Sequence, residues 1–279
     1  MLTLYTLTVD CQWEEQVPFI WFHSQFFVFR LAFFSTASAW DCKIRVNPRK
    51  DVINCAMHYR HEWKHEISAS DRIAIRQRLG AIAQRDAHAV GGVYLIRSLY
   101  FDNLVDKALR EKLDGVNHRE KFRIRYYNGD TSFIRLEKKS KWNGLGWKES
   151  APISAEEVQR ILDGDRDWMA STDRPLIREL HSKMQTQGLR PRTIVDYLRE
   201  PFVYAPGNVR VTLDYDIRTS LSCQDFLDSS CLTIPAGDAP MILEVKWDEY
   251  LPDIIRDAVQ LHGRHTAPYS KYAACRIYG

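Results

Sequence analysis

The sequence predicts an α+β fold in which an antiparallel sheet dominates and helices flank it. Three observations carry that prediction. Charge alternates along strand-like segments: Arg119, Lys121, Arg123 and Arg125 take every second place in REKFRIRYY, and Arg135, Glu137, Lys139 and Lys141 do so in FIRLEKKSK. A strand sends successive side chains to opposite faces, so each set shares one face. Strand-like segments outnumber helical ones, and several of them set a charged face against an apolar one. Neither GxGxxG nor GxxxxGK followed by Ser or Thr occurs, so the common phosphate-loop α/β folds are not indicated. Two architectures fit at this level. The charged face of an open sheet meets water, or the sheet closes into a barrel of about eight strands with a charged interior and an apolar outer face packed on helices.

The elements follow in order. YRHEWKHEIS (59–68) reads as a first strand, with Arg60, Glu62, Lys64 and Ser68 at alternate places around Glu66. SDRIAIRQRLGAIAQRD (70–86) reads as a helix capped by Ser70, with Ile73, Arg76, Leu79, Ile82 and Ala83 at helical spacing. GGVYLIRSLYFD (91–102) is β-branched and aromatic, hence a strand, and NLVDKALREKLDG (103–115) is a short helix with Gly115 past its end. The basic hairpin, 119–127 and 131–141, turns at Asn128-Gly129. A two-residue turn would pair Arg123 with Ile134 and send the two charged sets to opposite faces. A three-residue loop, Asn128 to Asp130, would pair Arg123 with Arg135 and unite them, and is favoured for that reason. SAEEVQRILDG (154–164) is a helix with a Ser154/Glu157 capping box and a terminal Gly164, and a further helix runs from Pro175 to Gln187 before Gly188. TIVDYLREPF, NVRVTLDYDIRTS and APMILEVKWDEY are three more strands. In the second, Arg210, Thr212, Asp214 and Asp216 share a face, opposite Val209, Val211, Leu213 and Tyr215. LPDIIRDAVQLHG is a helix with Pro252 in its first turn.

Composition narrows the function. The chain has 279 residues, 45% of them hydrophobic, and a net charge of only +3, so an anion site must come from local clustering rather than bulk charge. That near-neutral balance, and aromatics that alternate as core residues, argue against a nucleic-acid binder. The six cysteines form no CxxC pair or zinc spacing and read as reduced thiols of a cytoplasmic protein. Residues 1–56 differ in style. Their apolar stretch FIWFHSQFFVFRLAFFSTASAW is interrupted by His23 and Arg30, which suits neither a membrane span nor a signal peptide. They read as an atypical extension, arising from an over-early start codon, ahead of a domain at 57–279.

The charged residues point to a phosphate chemistry. Arg123 and Arg125 offer planar donors matched to phosphate oxygens. Glu62 and Lys64 share a strand face, as do Tyr197 and Arg199. Glu244 and Lys246 lie in the apolar run MILEVKW, which suggests a buried strand whose carboxylate needs a partner or a metal. Without a His/Cys cluster, a hard divalent cation with oxygen ligands fits best. A polyanion with a divalent metal would neutralise both sets, and phosphoryl transfer asks for positioning and cations rather than a protein nucleophile.

YRHEWKHEIS, SLYFDN, REKFRIRYYN, LEKKSK, VDYLREPF, RVTLDYD, ILEVKW and SKYAACR occur in that order across 57–279. Together they resemble the polyphosphate polymerase (VTC) domain family of the triphosphate tunnel metalloenzyme (CYTH-like) superfamily. The resemblance implies a closed antiparallel β-barrel, a tunnel lined by basic residues and metal-binding glutamates, flanked by helices. It implies transfer of the ATP γ-phosphate to a polyphosphate chain with release of ADP, assisted by Mn2+ or Mg2+. By motif, Lys64 is similar to a tunnel lysine, Arg123 and Arg125 to the phosphate-gripping RIR pair, Lys139 to the lysine of the ExK strand and Lys148 to a later tunnel lysine. Tyr197 and Arg199 match a YxR pair, and Lys271 matches the basic residue of the terminal SKY. Arg210 and Lys246 are grouped with the substrate contacts. Glu244 matches the metal-ligand glutamate, and Glu62 resembles the first glutamate of the superfamily's ExExK strand, although the pattern here is ExKxE. The implied partners are ATP and inorganic polyphosphate, with a membrane partner for the product left open. Eukaryotic relatives add a phosphate-sensing domain and often membrane helices. The 279 residues leave no room for the former and offer no convincing example of the latter, and stand-alone relatives of this kind look bacterial. A tripolyphosphatase or nucleoside triphosphatase in the same tunnel, and a non-catalytic polyphosphate or nucleotide sensor, are the alternative functions.

Overall fold

A computed structural model describes residues 60–277 apart from Gly144, His262 and Ala267. The readings made for residues 1–56, and Cys11, Cys42 and Cys55 with them, lie outside the described residues. The strands are β1 (His61–Ile67), β2 (Gln84–Arg85), β3 (Tyr94–Asp102), β4 (Arg119–Tyr127), β5 (Asp130–Trp142), β6 (Leu145–Ile153), β7 (Arg190–Tyr204), β8 (Val209–Ser220), β9 (Ile234–Pro235) and β10 (Met241–Trp247). The helices are α1 (Ala69–Ile82), α2 (Lys107–Leu113), α3 (Ala155–Leu162), α4 (Trp168–Ser171), α5 (Pro175–Gln187), α6 (Asp253–Val259) and α7 (Lys271–Arg276). Among the described residues no helix is long and apolar enough to cross a membrane.

One antiparallel sheet runs in the order β1-β10-β8-β7-β3-β4-β5-β6, with β2 added beside β7 and β9 beside β8. Its apolar face is covered by helices. Phe122, Ile124, Leu136 and Ile153 pack against Val158, Ile161, Ile177 and Leu180 of α3 and α5. Val211, Leu213, Leu243 and Val245 pack against Ile75, Leu79, Ile255 and Val259 of α1 and α6. Each such fully buried side chain contributes about 1.5–3 kcal/mol, which fixes which face of every strand turns away from the helices. On that other face, α7 covers one end, where Tyr272 and Cys275 meet Tyr100, Val195, Tyr197 and Ile217.

The sheet curls toward its polar face, far enough that Lys139 of β5 feels the charges of Glu62 and Lys64 of β1. It is nevertheless an open half-barrel, not the closed barrel expected. Among the described residues the outer edge of β1 is engaged at His65 by one β-bridge to Thr266 rather than by β6. β6 itself is largely exposed and contains Pro152, which has no N–H for a further ladder, as suits an edge strand.

Local signals held where they were local. α3 begins at Ser154 with its capping box to Glu157, and α5 spans Pro175–Gln187 and ends on a left-handed Gly188. α1 departs from expectation: its cap is Ser68, boxed with Asp71, not Ser70, and it ends at Ile82. Its buried stripe is Ile75 and Leu79, whereas Ile73 stands 49% exposed. The hairpin follows neither register considered. Asn128 and Gly129 form a two-residue turn at positive φ, with Tyr127 opposite Asp130. A bulge beyond Tyr127 then shifts the register, so that Arg125 faces Arg135, Arg123 faces Glu137 and Lys121 faces Lys139. The bulge does what the longer loop was expected to do, uniting both charged sets on one face. A second bulge, between Asp196 and Leu198, places Asp216 at φ 49° and turns it toward Arg218, out of the alternation expected with Asp214.

Candidate active site

The ladder register decides which residues share the polar, inner face. Glu62 faces Lys246 and Lys64 faces Glu244 across β1 and β10; Glu244 faces Thr212, and Lys246 faces Arg210, across β10 and β8. Arg199 of β7 faces Asp214 of β8 and Tyr94 of β3, and Tyr197 faces Ile96. Ser98 and Tyr100 face Arg125 and Arg123, and Lys139 faces both Lys121 and Lys148. Every strand residue expected at the site therefore lies on one face, and Lys271 is brought to it at the start of α7.

One wall of this face gathers carboxylates. Asp214, with no solvent exposure, accepts from Arg199 Nε at 2.6 Å, Arg199 Nη2 at 2.7 Å and Lys271 Nζ at 2.6 Å. Arg199 Nη2 also reaches Glu244 at 3.3 Å. Lys246 Nζ lies 2.6 Å from Glu244 Oε1, and Lys64 Nζ lies 2.5 Å from Glu62 and 3.7 Å from Glu244. Glu62 and Glu244 share both lysines, since Lys246 Nζ also lies 4.0 Å from Glu62. Burial alone would raise the Glu244 carboxyl, but Lys246, Arg199 and Lys64 hold it well below the usual carboxylate range. Burial likewise works against the charged form of Asp214, and Arg199 and Lys271 prevail over it.

The opposite wall gathers cations. Arg123 donates through Nε to Glu137 at 2.6 Å and through Nη1 to Tyr100 Oη at 3.0 Å. Lys148 holds the other Glu137 oxygen at 2.7 Å. Glu137 is brought down to about 2: burial opposes this, and Arg123, Arg125 and Lys148 outweigh it. Arg125 is buried and, among the described residues, pairs with no carboxylate; it donates to Ser98 Oγ at 2.9 Å and Tyr197 Oη at 3.1 Å. Lys121 and Lys139 have no acidic partner among the described residues. Burial, with Lys139, Arg123 and Lys64 adding to it, brings the Lys121 ammonium down to about 8 against the pull of Tyr100. Lys139 is open to water at its surface, but the surrounding protein, then Lys64 and Lys246, lower it as well. Tyr197 joins the walls: its hydroxyl meets Arg125, and its ring lies 4.7 Å from Lys271 Nζ and 5.4 Å from Arg199.

Of the residues expected at the site, Glu62, Lys64, Arg199, Glu244, Lys246 and Lys271 form one network, while Arg123 and Lys148 meet at Glu137. Arg210 stands at the margin, where Asp86 holds it at 3.0 Å. Asp214, Glu137, Lys121 and Tyr100 were not among the candidates. The first three alternate in phase with residues that were; Tyr100 is one of two tyrosines in β3, and nothing in the strand marks it over Tyr94.

Two carboxylates side by side are a minimal donor set for a hard cation. No group of three His, Cys, Asp or Glu residues able to hold a metal occurs among the described residues. A small hard cation is commonly bound by one or two carboxylates plus substrate phosphates, and Glu62 with Glu244 fits that mode.

Residues 59–277 match the family model described as the VTC domain. Similar solved structures include one titled a putative adenylate cyclase from Bacillus halodurans, 14% identical, covering 66% of this chain and 78% of that one, with a TM-score of 0.40. A protein from Pyrococcus horikoshii OT3 is 14% identical over 72% of this chain and 84% of that one, with a TM-score of 0.37. A putative adenylate cyclase from Vibrio parahaemolyticus is 10% identical over 72% and 82%, with a TM-score of 0.36. No curated protein matches the chain.

Proposed function

The chain belongs to the VTC domain family, and from that premise we propose that it is an ATP-dependent polyphosphate polymerase. The observation that carries the reading is the row of Lys121, Arg123 and Arg125 on β4, with Lys139 beside it, served among the described residues by one carboxylate, Glu137, and with Lys139 within the field of Glu62 and Glu244. Cations spaced along a strand about 6.8 Å apart suit a chain of phosphates rather than a single anion.

In the proposed reaction a terminal oxygen of the polyphosphate chain attacks the γ-phosphorus of ATP. The bond from that phosphorus to the β,γ-bridging oxygen breaks, and ADP leaves with the electron pair. Arg123 and Arg125 are fixed by Glu137, Tyr100, Ser98 and Tyr197, so they hold equatorial phosphate oxygens without reorganising as charge shifts. Lys64, Lys139 and Lys271 neutralise the approaching chains, whose mutual repulsion is the main obstacle to their meeting. Glu62 and Glu244 would hold Mn2+ or Mg2+ together with phosphate oxygens, and that ion supplies charge compensation for the departing diphosphate.

Arg123→Ala and Glu244→Ala are expected to lower turnover by about 10²-fold or more while leaving the circular dichroism spectrum unchanged. The deciding assay follows ADP, free phosphate and acid-stable polyphosphate together, using the purified chain, ATP and manganese. ADP with polyphosphate supports the polymerase. ADP with matching free phosphate transfers the assignment to a hydrolase. Tight binding without turnover makes the protein a sensor.

A further inference from the structure

The cationic wall holds a phenol, that of Tyr100, to which the proposed reaction gives no proton to hold or move. Tyr100 sits on the inner face of β3 opposite Arg123 and is 5% exposed. Its Oη accepts from Arg123 Nη1 at 3.0 Å, and Lys121 Nζ stands 5.5 Å from its ring centroid. Tyr272 of α7 stacks on the ring with centroids 5.0 Å apart, and its own hydroxyl is spent on Asp102. The charged and titratable groups around this pocket are Lys121, Arg123 and Arg125 from β4, Glu137 and Lys139 from β5, Tyr197 from β7, and Lys271 and Tyr272 from α7.

Three β4 cations against one carboxylate leave an uncompensated positive charge in a partly dry site, and burying such charge is costly. A fixed second carboxylate would relieve it permanently, but would then repel an incoming phosphate. A phenol relieves it reversibly. We propose that Tyr100 is a positioning residue whose phenol serves as an exchangeable counter-charge. It ionises to balance Arg123 and Lys121 when the wall is empty, and takes a proton from solvent when a phosphate chain docks there. The proposal rests on reading these cations as the phosphate site. In keeping with it, burial would raise the phenol, yet Arg123, Lys121 and Arg125 bring it down to about 7. Tyr127, lowered by Arg125 against the effect of burial, is the other described tyrosine shifted in this direction.

The test is near-ultraviolet tyrosinate absorbance of the full chain across neutral pH, with and without metal-free tripolyphosphate, with binding measured in parallel by calorimetry. The expected result is one tyrosinate appearing near neutrality in the free protein, lost in Tyr100→Phe, kept in Tyr127→Phe, and abolished by saturating tripolyphosphate with uptake of one proton. Tyr100→Phe keeps the ring stacked on Tyr272, and its circular dichroism spectrum should match wild type. No such step, or a step that survives Tyr100→Phe, overturns the proposal. A step that stays in place while calorimetry shows tripolyphosphate bound overturns the counter-charge alone and leaves the phosphate site standing. If tripolyphosphate does not bind at all, the phosphate-site reading falls and the proposal falls with it.

Discussion

Glu137 shows how much one carboxylate can carry. It is 6% exposed and receives both Arg123 and Lys148. Its folded value of about 2 lies below the ordinary 4.5, so the folded state prefers the ionised form. That contribution is complete above 4.5 and is lost as pH falls from 4.5 through about 2. Glu137→Gln is therefore expected to lose on the order of 3 kcal/mol at neutral pH. It should also show a flatter acid limb than wild type, measured as urea midpoints at neutral pH and in acid. Equal losses at both pH values would mean that the residue acts through packing alone. At this scale the sequence was legible in phase but not in role. Glu137 and Asp214 both sit where alternation places them, yet what makes them centres of ion networks is the strand beside each. Asp214 collects Arg199 from β7 and Lys271 from α7, and neither pairing is visible along the chain.

Local chemistry made α3 and α5 legible but left the cap of α1 two residues off, and the inner strands β7, β8 and β10 were legible from their alternation. The capping box of α3 and the left-handed glycine after α5 are contacts within a few residues, so their chemistry is written locally. β6 was not recognised, because as an exposed edge strand with Gly146 and Pro152 it lacks the apolar alternation of an inner one. The hairpin falls between these cases. Its turn was legible, and its register was not, because the bulge beyond Tyr127 answers to the packing of Tyr126 and Ile134 in the core. The turn itself requires positive φ at Asn128 (53°) and Gly129 (73°). A Cβ at Gly129 would meet nothing within 4 Å, so Gly129→Ala should cost only the left-handed backbone penalty, roughly 1–2 kcal/mol. A urea midpoint unchanged from wild type would show that the hairpin turns differently.

At the scale of the whole molecule, the sheet divides charge between its two wings. Carboxylates with their cations lie on β1, β10 and β8, and cations short of carboxylates lie on β4 and β5. The sequence conveyed the strand faces and the unity of the charged set. It did not convey that the sheet stays open, because closure depends on what meets the edge of β1, which is Thr266. Curling brings Lys64 toward Lys121 and Lys139, and this crowding makes the empty site reluctant to hold all its protons. Lys121, down to about 8, is charged below that pH and increasingly neutral above it. An arriving polyanion favours the charged form, so binding above this value must draw in a proton. Affinity should then fall by up to about tenfold per pH unit for one coupled proton. Lys121→Arg keeps its charge throughout this range and should remove the share of the alkaline fall that Lys121 contributes. Tyr100, and Lys139, also held low, would leave the remainder. Calorimetry of tripolyphosphate binding at fixed ionic strength across this range measures the effect, since added salt would itself weaken a site built on charge. An alkaline fall of equal size in wild type and Lys121→Arg would move the proton to another group and leave Lys121 a spectator of the site it faces.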